Sequence, residues 1–304
     1  MNPDDLEQAS VPEISSRLGQ RLRLVEDKMR NYCVTQHAIA NYSRVEEALD
    51  YHLSQGGKKI RAQIALDAAK TQELSIEIGV LIAAICELLH NASLIHDDIQ
   101  DKDTQRRGVD SIWLKFGEDV AICLGDLMIS AAYGACGELM KLSSPNPILL
   151  EKTHDSIRTT IYGQGGDLAS HISKMSLFEY CELAAAKSGP LIGLPVELAL
   201  ATKGIKTDPN TISRAARDLG VAYQLVDDLK DWQNLRRIKK NGSRELNAVL
   251  IVSSDLLRSK GFDAVKILAK EKTNDAIINA SQIPFGAGEP LIQLANNLNS
   301  LFAD

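Results

Sequence analysis

Leu81 to Asp103 reads LIAAICELLHNASLIHDDIQDKD, an apolar run ending in four aspartates within seven residues, with Arg106-Arg107-Gly108 just beyond. The stretch predicts one long helix, buried over most of its length and acidic at its end. On a 3.6-residue period Asp97 and Asp101 share a face, with Ser93 one turn back and His90 two. Carboxylates four residues apart repel each other on an isolated helix. A cation is therefore expected between them.

The rest of the chain is helical in pattern as well. No proline occurs between Pro12 and Pro145, strict apolar/polar alternation is absent, and Ala, Leu, Ile, Glu and Lys dominate. Helices are predicted over about 13–30, 40–55, 58–69, 119–142, 149–168, 177–187, 262–280 and 289–302. The 177–187 helix is expected to stop at Ser188-Gly189-Pro190, with a short apolar helix continuing to Leu200. Gln55-Gly56-Gly57, Thr71 to Ser75 and Ser143 to Pro147 read as breaks, and Thr207-Asp208-Pro209-Asn210 as a helix start. Small residues over 119–142 suggest a close helix–helix contact. The fold class is all-α.

Length allows one large domain or two ordinary ones at 304 residues. With 44% hydrophobic and 24% charged residues, the chain has ample material for a core. Net charge is −6 and no long basic run occurs, which argues against nucleic acid as a partner. Five cysteines without CxxC spacing argue against zinc and against a disulfide framework. The N-terminus, MNPDDLEQAS, lacks a signal pattern, and the apolar stretch Val80–Cys86 is far short of the roughly 18 residues a membrane span needs. A soluble, cytoplasmic protein is expected.

A second acidic cluster echoes the first 130 positions later. Gln224, Asp227, Asp228 and Asp231 stand at i, i+3, i+4 and i+7, a complete helical stripe. Most such runs are solvated faces. Here, however, each follows a strongly apolar segment, and two acidic ends facing each other would make a cage of oxygen ligands. Magnesium, which shares its shell with waters and substrate phosphates, suits such a cage. Lys58, Arg61, Arg106, Arg107 and Lys187 each lie beside a Gly break or a helix end. Arginine forks and lysine point charges match phosphate oxygens. Acidic metal ligands with separate basic clusters point to a polyphosphate substrate, or to two.

Five ordered motifs carry a resemblance: GGKKIR (56–61), HNASLIHDDIQDKDTQRRG (90–108), GQGGDL (163–168), KSG (187–189) and YQLVDDLKD (223–231). The chain resembles the trans-isoprenyl (polyprenyl) diphosphate synthases, the farnesyl and geranylgeranyl diphosphate synthase family. The resemblance implies a single all-α domain over 1–304, with both aspartate motifs carried into one cavity. It implies Asp97 and Asp101 as ligands of two magnesium ions, with Asp98 beside them, and Asp227 as ligand of a third, supported by Asp228 and Asp231. Arg106, Lys187 and Gln224 resemble the surroundings of the allylic diphosphate, and Lys58, Arg61, His90 and Arg107 those of isopentenyl diphosphate. Ser188 stands where the family usually has Thr.

The implied reaction is ionisation of the allylic diphosphate, attack by the isopentenyl double bond and loss of a proton, with Lys187, Ser188 and Gln224 bounding the cation. A dry pocket is needed, because water would quench it. In the family short products go with an aromatic ring four or five positions before the first aspartate. Here Ala92 and Ser93 are small, with Leu89 a turn further, which favours geranylgeranyl or longer. A homodimer is also implied.

Two departures stand out. Ala62 replaces the usual proline after Arg61, and the segment Arg236-Arg237-Ile238-Lys239-Lys240-Asn241-Gly242-Ser243-Arg244-Glu245-Leu246 lacks the family's two-lysine lid pattern. Two other functions compete. A class I terpene cyclase would not carry a second full DDxxD together with GGKxxR. A non-catalytic subunit of a heteromeric synthase would typically have lost aspartates from one cluster. His37, His52, His96, His154 and His171 have no usable ligand spacing and read as structural; Trp113 and Trp232 read as packing residues.

Overall fold

The computed structural model describes residues 11–35, 43–143, 146–169, 175–235, 247–253 and 258–302. Among them the chain forms α1 (Val11–Cys33), α2 (Val45–Ser54), α3 (Ile60–Thr71), α4 (Ile76–Asp101), a two-stranded hairpin β1 (Gln105–Arg106) and β2 (Val109–Asp110), and α5 (Ile112–Phe116). There follow α6 (Glu118–Leu142), α7 (Ile148–Ala169), α8 (Leu177–Thr202), α9 (Pro209–Leu235), α10 (Ala248–Ser253), α11 (Arg258–Ser281) and α12 (Glu289–Ser300). The all-α expectation holds. The predicted lid segment, residues 236–246, lies outside the described residues, as do His37 and His171.

The decisive helix, α4, starts where Ser75 accepts the Ile78 N–H and ends where Lys102 turns left-handed at φ 58°. Every residue from Gly79 to Leu89 is buried, Glu87 being the one charged side chain among them, so α4 runs through the centre of the bundle. It packs against α6, α3, α1 and α8. At its C-terminal end polar side chains line open space.

Two expectations change. The break predicted at Ser188-Gly189-Pro190 is absent: α8 continues through both Pro190 and Pro195. A proline costs a helix the hydrogen bond to the carbonyl four residues back. Packing of α8 against α7, α9, α3 and α4 outweighs that local cost. The hairpin was not predicted, because two-residue strands are too short to show alternation. Its turn residues, Arg107 (φ 54°) and Gly108 (φ 81°), both have the positive φ of a type I′ turn.

The expectation about membrane spans rested on uninterrupted apolar runs and is corrected by whole helices. By length and composition α4, α6 and α8 are each long and apolar enough to cross a membrane. In α4, 78% of the apolar window is buried inside the protein, and in α8, 67%. Those residues serve as core.

Candidate active site

The open end of α4, the hairpin, the α2–α3 loop and the inner faces of α7, α8 and α9 enclose a cavity of about 820 Å³. That is within the roughly 300–1,000 Å³ typical of small-molecule sites. Lys58, Arg61, His90, Ser93, Asp97, Arg106, Arg107, Lys187, Ser188, Gln224 and Asp227 all line it. Helices far apart in sequence thus bring the predicted acid and base sets to one space.

At the acidic end Asp97 is held partly buried, and its carboxyl is pushed up to about 6, chiefly by burial and further by Asp101 and Asp167. Asp101, one turn further along α4, is raised by burial, with Asp103, Asp167 and Asp98 adding. Lys187 opposes them, its Nζ bonded to Asp167 at 2.9 Å. Asp231 on α9 feels Asp103 at the end of α4, so the two acidic clusters approach each other across the mouth. Asp227 lines the cavity and pairs with Lys230 at 3.2 Å.

Asp98 and Asp228 are placed differently from their neighbours. Asp98 is 2% exposed and both its oxygens are gripped by Arg106, at 2.5–2.8 Å. Asp228 is 4% exposed, accepting from the Tyr180 hydroxyl and the Ala248 N–H, each at 2.7 Å. Each is turned inward and committed to holding protein: Asp98 fixes the hairpin, and Asp228 ties α9 to α8 and α10.

The basic end is built on the hairpin and on α3. Arg106 presents its guanidinium to the cavity while Asp98 holds one edge. Arg107, in the left-handed region, lies over Gly57. Positive charges crowd here: burial and then Arg61, Arg107 and Arg106 hold the His90 imidazole far below its usual value, so it is neutral. Behind them Glu87 is buried with its carboxyl raised by burial and opposed by Arg61. Asn91 donates its Nδ2–H to the Glu87 carbonyl at 2.7 Å, and its Oδ1 accepts from His52 Nε2 at 2.8 Å.

Glycine sets the spacing of the helices at this site. A Cβ on Gly163 would lie 2.4 Å from the Lys187 nitrogen, and one on Gly220 would lie 2.6 Å from the Gly189 nitrogen. The GQGGDL and KSG motifs therefore mark where α7 and α9 press against α8, placing Lys187 and Ser188 beside Gln224.

Sequence reasoning missed several residues. Asp167, partner of Lys187, was inside a quoted motif but is a lone carboxylate with no spacing signal. His52, His96, Tyr223 and Gln55 also line the cavity, and only tertiary structure puts them there. The expected chain-length positions divide: Ser93 lines the cavity, whereas Leu89 and Ala92 are buried in the core at 4% and 1% exposure. Five residues correspond to 500° on a helix, so Ala92 is turned some 140° from Asp97, about a hundred degrees per residue being the rule. Leu94, Thr160, Ile161, Leu168 and Leu191 are among the other wall residues, with Val25 and Met29 of α1.

Among the described residues no group of three or more His, Cys, Asp or Glu side chains is placed to hold a metal ion. The closed cage expected from the sequence is therefore not formed by protein alone. Magnesium seldom uses one: one or two carboxylates with waters and substrate phosphates suffice. Asp97 and Asp101, both raised by burial and by the neighbouring Asp167 carboxylate and opposed by Lys187, belong to an acidic excess that fits a divalent cation.

The polyprenyl synthetase family model matches residues 42–246. A short chain isoprenyl diphosphate synthase of Methanocaldococcus jannaschii is 26% identical over 211 residues, 69% of this chain and 62% of that protein. A geranylgeranyl diphosphate synthase of Saccharolobus solfataricus is 27% identical over 266 residues, 83% of this chain and 80% of that one. The matched stretch thus spans less than two thirds of the first relative's length. In fold, the chain is similar to a decaprenyl diphosphate synthase from Rhodobacter capsulatus, with TM-score 0.79, 20% identity, and coverage of 94% of this chain and 98% of that one.

Proposed function

The chain belongs to the polyprenyl synthetase family, and from that premise we propose that it condenses isopentenyl diphosphate head-to-tail with an allylic diphosphate, giving a longer all-trans prenyl diphosphate. One observation carries the reading. Asp97 and Asp227 line the same cavity as Lys58, Arg61 and Arg107, so an acidic end and a basic end face each other across a shared space. The first suits a diphosphate that must leave, and the second a diphosphate that must stay.

Asp97, Asp101 and Asp227 would hold magnesium, with Asp167 and Asp231 close by; magnesium supplies neutralisation of the leaving diphosphate. Lys187 and the free edge of Arg106 bind the same group. Ser188, Gln224 and Tyr223 bound the allylic cation with oxygen dipoles and a ring face. Lys58, Arg61 and Arg107 hold isopentenyl diphosphate so that its double bond reaches that carbon, while neutral His90 adds a hydrogen bond rather than a charge. The proton lost from the adduct passes to the departed diphosphate, the nearest base.

The product reading follows from the wall. Ser93, Leu94, Thr160, Ile161 and Leu168 include no aromatic ring, which supports geranylgeranyl or longer. A homodimer is supported by exposed apolar side chains on α5 and α6, among them Leu114, Ile122 and Leu142.

The test is turnover with magnesium, isopentenyl diphosphate and allylic primers of increasing length, reading product length by mass. Elongation to a defined length, lost in Asp97→Ala, is expected. No elongation with any primer, the parent and Asp97→Ala behaving alike, would overturn the reading in favour of a non-catalytic subunit.

A further inference from the structure

Gln55 follows the last residue of α2, its N–H bonded to the His52 carbonyl at 3.3 Å. Its side chain lines the cavity, yet Oε1 and Nε2 are both buried without a hydrogen-bond partner among the described residues. Exchanging the two atoms changes nothing, because both are unpaired. Buried amides of this kind are rare in native proteins and costly where they occur, so each asks for a partner.

The surroundings say what kind. Gly56, Gly57 and Lys58 follow directly, and the loop passes under Arg107: a Cβ on Gly57 would lie 2.7 Å from its Nη2. Arg61, the second residue of the next helix, has its Nε buried and equally unpaired. Two unpaired donors, Gln55 Nε2 and Arg61 Nε, therefore line the end of the cavity where Lys58 and Arg107 gather. An apolar ligand would leave all of them unsatisfied. An oxygen-rich anion would satisfy them together.

We propose that Gln55 is a further binding residue for isopentenyl diphosphate, its amide N–H donating to a diphosphate oxygen beside Arg61 and Lys58. The amide oxygen accepts from a water in the first shell of that group. This rests on the synthase reading above and adds a residue to it.

Gln55→Met tests it, because the thioether keeps the length and unbranched shape of the side chain and removes only the amide. Calorimetric titration with isopentenyl diphosphate alone and steady-state kinetics are read side by side. Expected are a Kd and a KM for isopentenyl diphosphate raised about tenfold, as loss of one hydrogen bond to a charged group implies. The KM for the allylic diphosphate, kcat and the melting temperature stay at the parent values. Unchanged Kd and KM, an equal rise for both substrates, or a lowered melting temperature would each overturn the assignment, the last by making Gln55 structural. Gln55→Glu provides a second reading: its charge should weaken isopentenyl diphosphate binding further than methionine does. A parent that binds isopentenyl diphosphate but elongates no primer sinks the synthase reading and leaves Gln55 standing. A parent that elongates, with Gln55→Met identical to it, sinks only Gln55.

Discussion

Glu87 on α4 accepts the backbone N–H of Ala62 at 3.0 Å and so caps a helix it does not belong to. Lys59 at the head of α3 is left-handed, φ 48°, and its side chain makes no cap. A carboxylate from the central helix takes over, beside the Arg61 it must balance. The replacement of the family's proline by Ala62 thereby gains a reason, since a proline has no N–H to offer. Glu87→Ala is expected to cost about 1–3 kcal/mol of stability, the range for a buried donor left unmade. Glu87→Gln, which keeps an acceptor, should recover most of it, and urea melts of both variants decide the point.

Asp97 and Asp98 are adjacent and should fail in opposite ways. Asp97 stands in an acidic excess, so Asp97→Asn is expected to fold at least as stably as the parent while losing at least a hundredfold in kcat. Asp98→Asn breaks a buried fork with Arg106 and should lower stability by about 3 kcal/mol. Equal melts for the two variants would contradict this division of labour.

His52 gives a pH signature. It is 2% exposed and bonded to Asn91, and burial lowers its pKa from 6.5 to about 4. Below 6.5 the unfolded chain binds a proton that the folded chain refuses until about 4. Stability should therefore fall as pH drops through that window, by up to about 3 kcal/mol. Asp97 and Asp228, both raised to about 6, act in the opposite sense, so the comparison is with His52→Gln. The parent-minus-variant difference should slope between pH 6.5 and 4 and be flat above.

Gly163→Ala should separate α7 from α8. The added methyl would fall 2.4 Å from the Lys187 nitrogen, which is backbone and cannot swing aside. A stability loss of about 1–3 kcal/mol is expected, together with a larger loss in kcat than Gly165→Ala, whose Cβ meets nothing. Parallel thermal melts and rates test it.

Chain length offers the last contrast. Ser93→Phe puts a ring into the cavity wall and should shorten the product, with little effect on folding. Ala92→Phe forces a ring into a core position at 1% exposure and should instead destabilise by about 1–3 kcal/mol. Product mass and melting temperature, measured on both, separate the two.

Much of this molecule could be read from residues alone, for reasons that are local. The helical period, the acidic ends of two apolar helices and the glycine-marked basic clusters are each properties of short stretches, and they fixed an all-α fold and the main donors of the site. Failures fell where local cost was overruled. Pro190 reads as a stop, but α8 is held on several sides and continues. The hairpin that aims Arg106 is two residues per strand, beneath any periodic signal.

By itself the sequence determined which residue types the site would hold, because charge and helical spacing are written in one dimension. Which aspartates face the cavity was decided only by tertiary structure. Asp97 and Asp98 are neighbours in sequence, yet a hundred degrees of helical rotation leaves one in the cavity wall and turns the other into Arg106. The same holds for Ala92 and Ser93, and for the buried amide of Gln55. A side chain's role depends on what packs against it, and that partner comes from elsewhere in the chain.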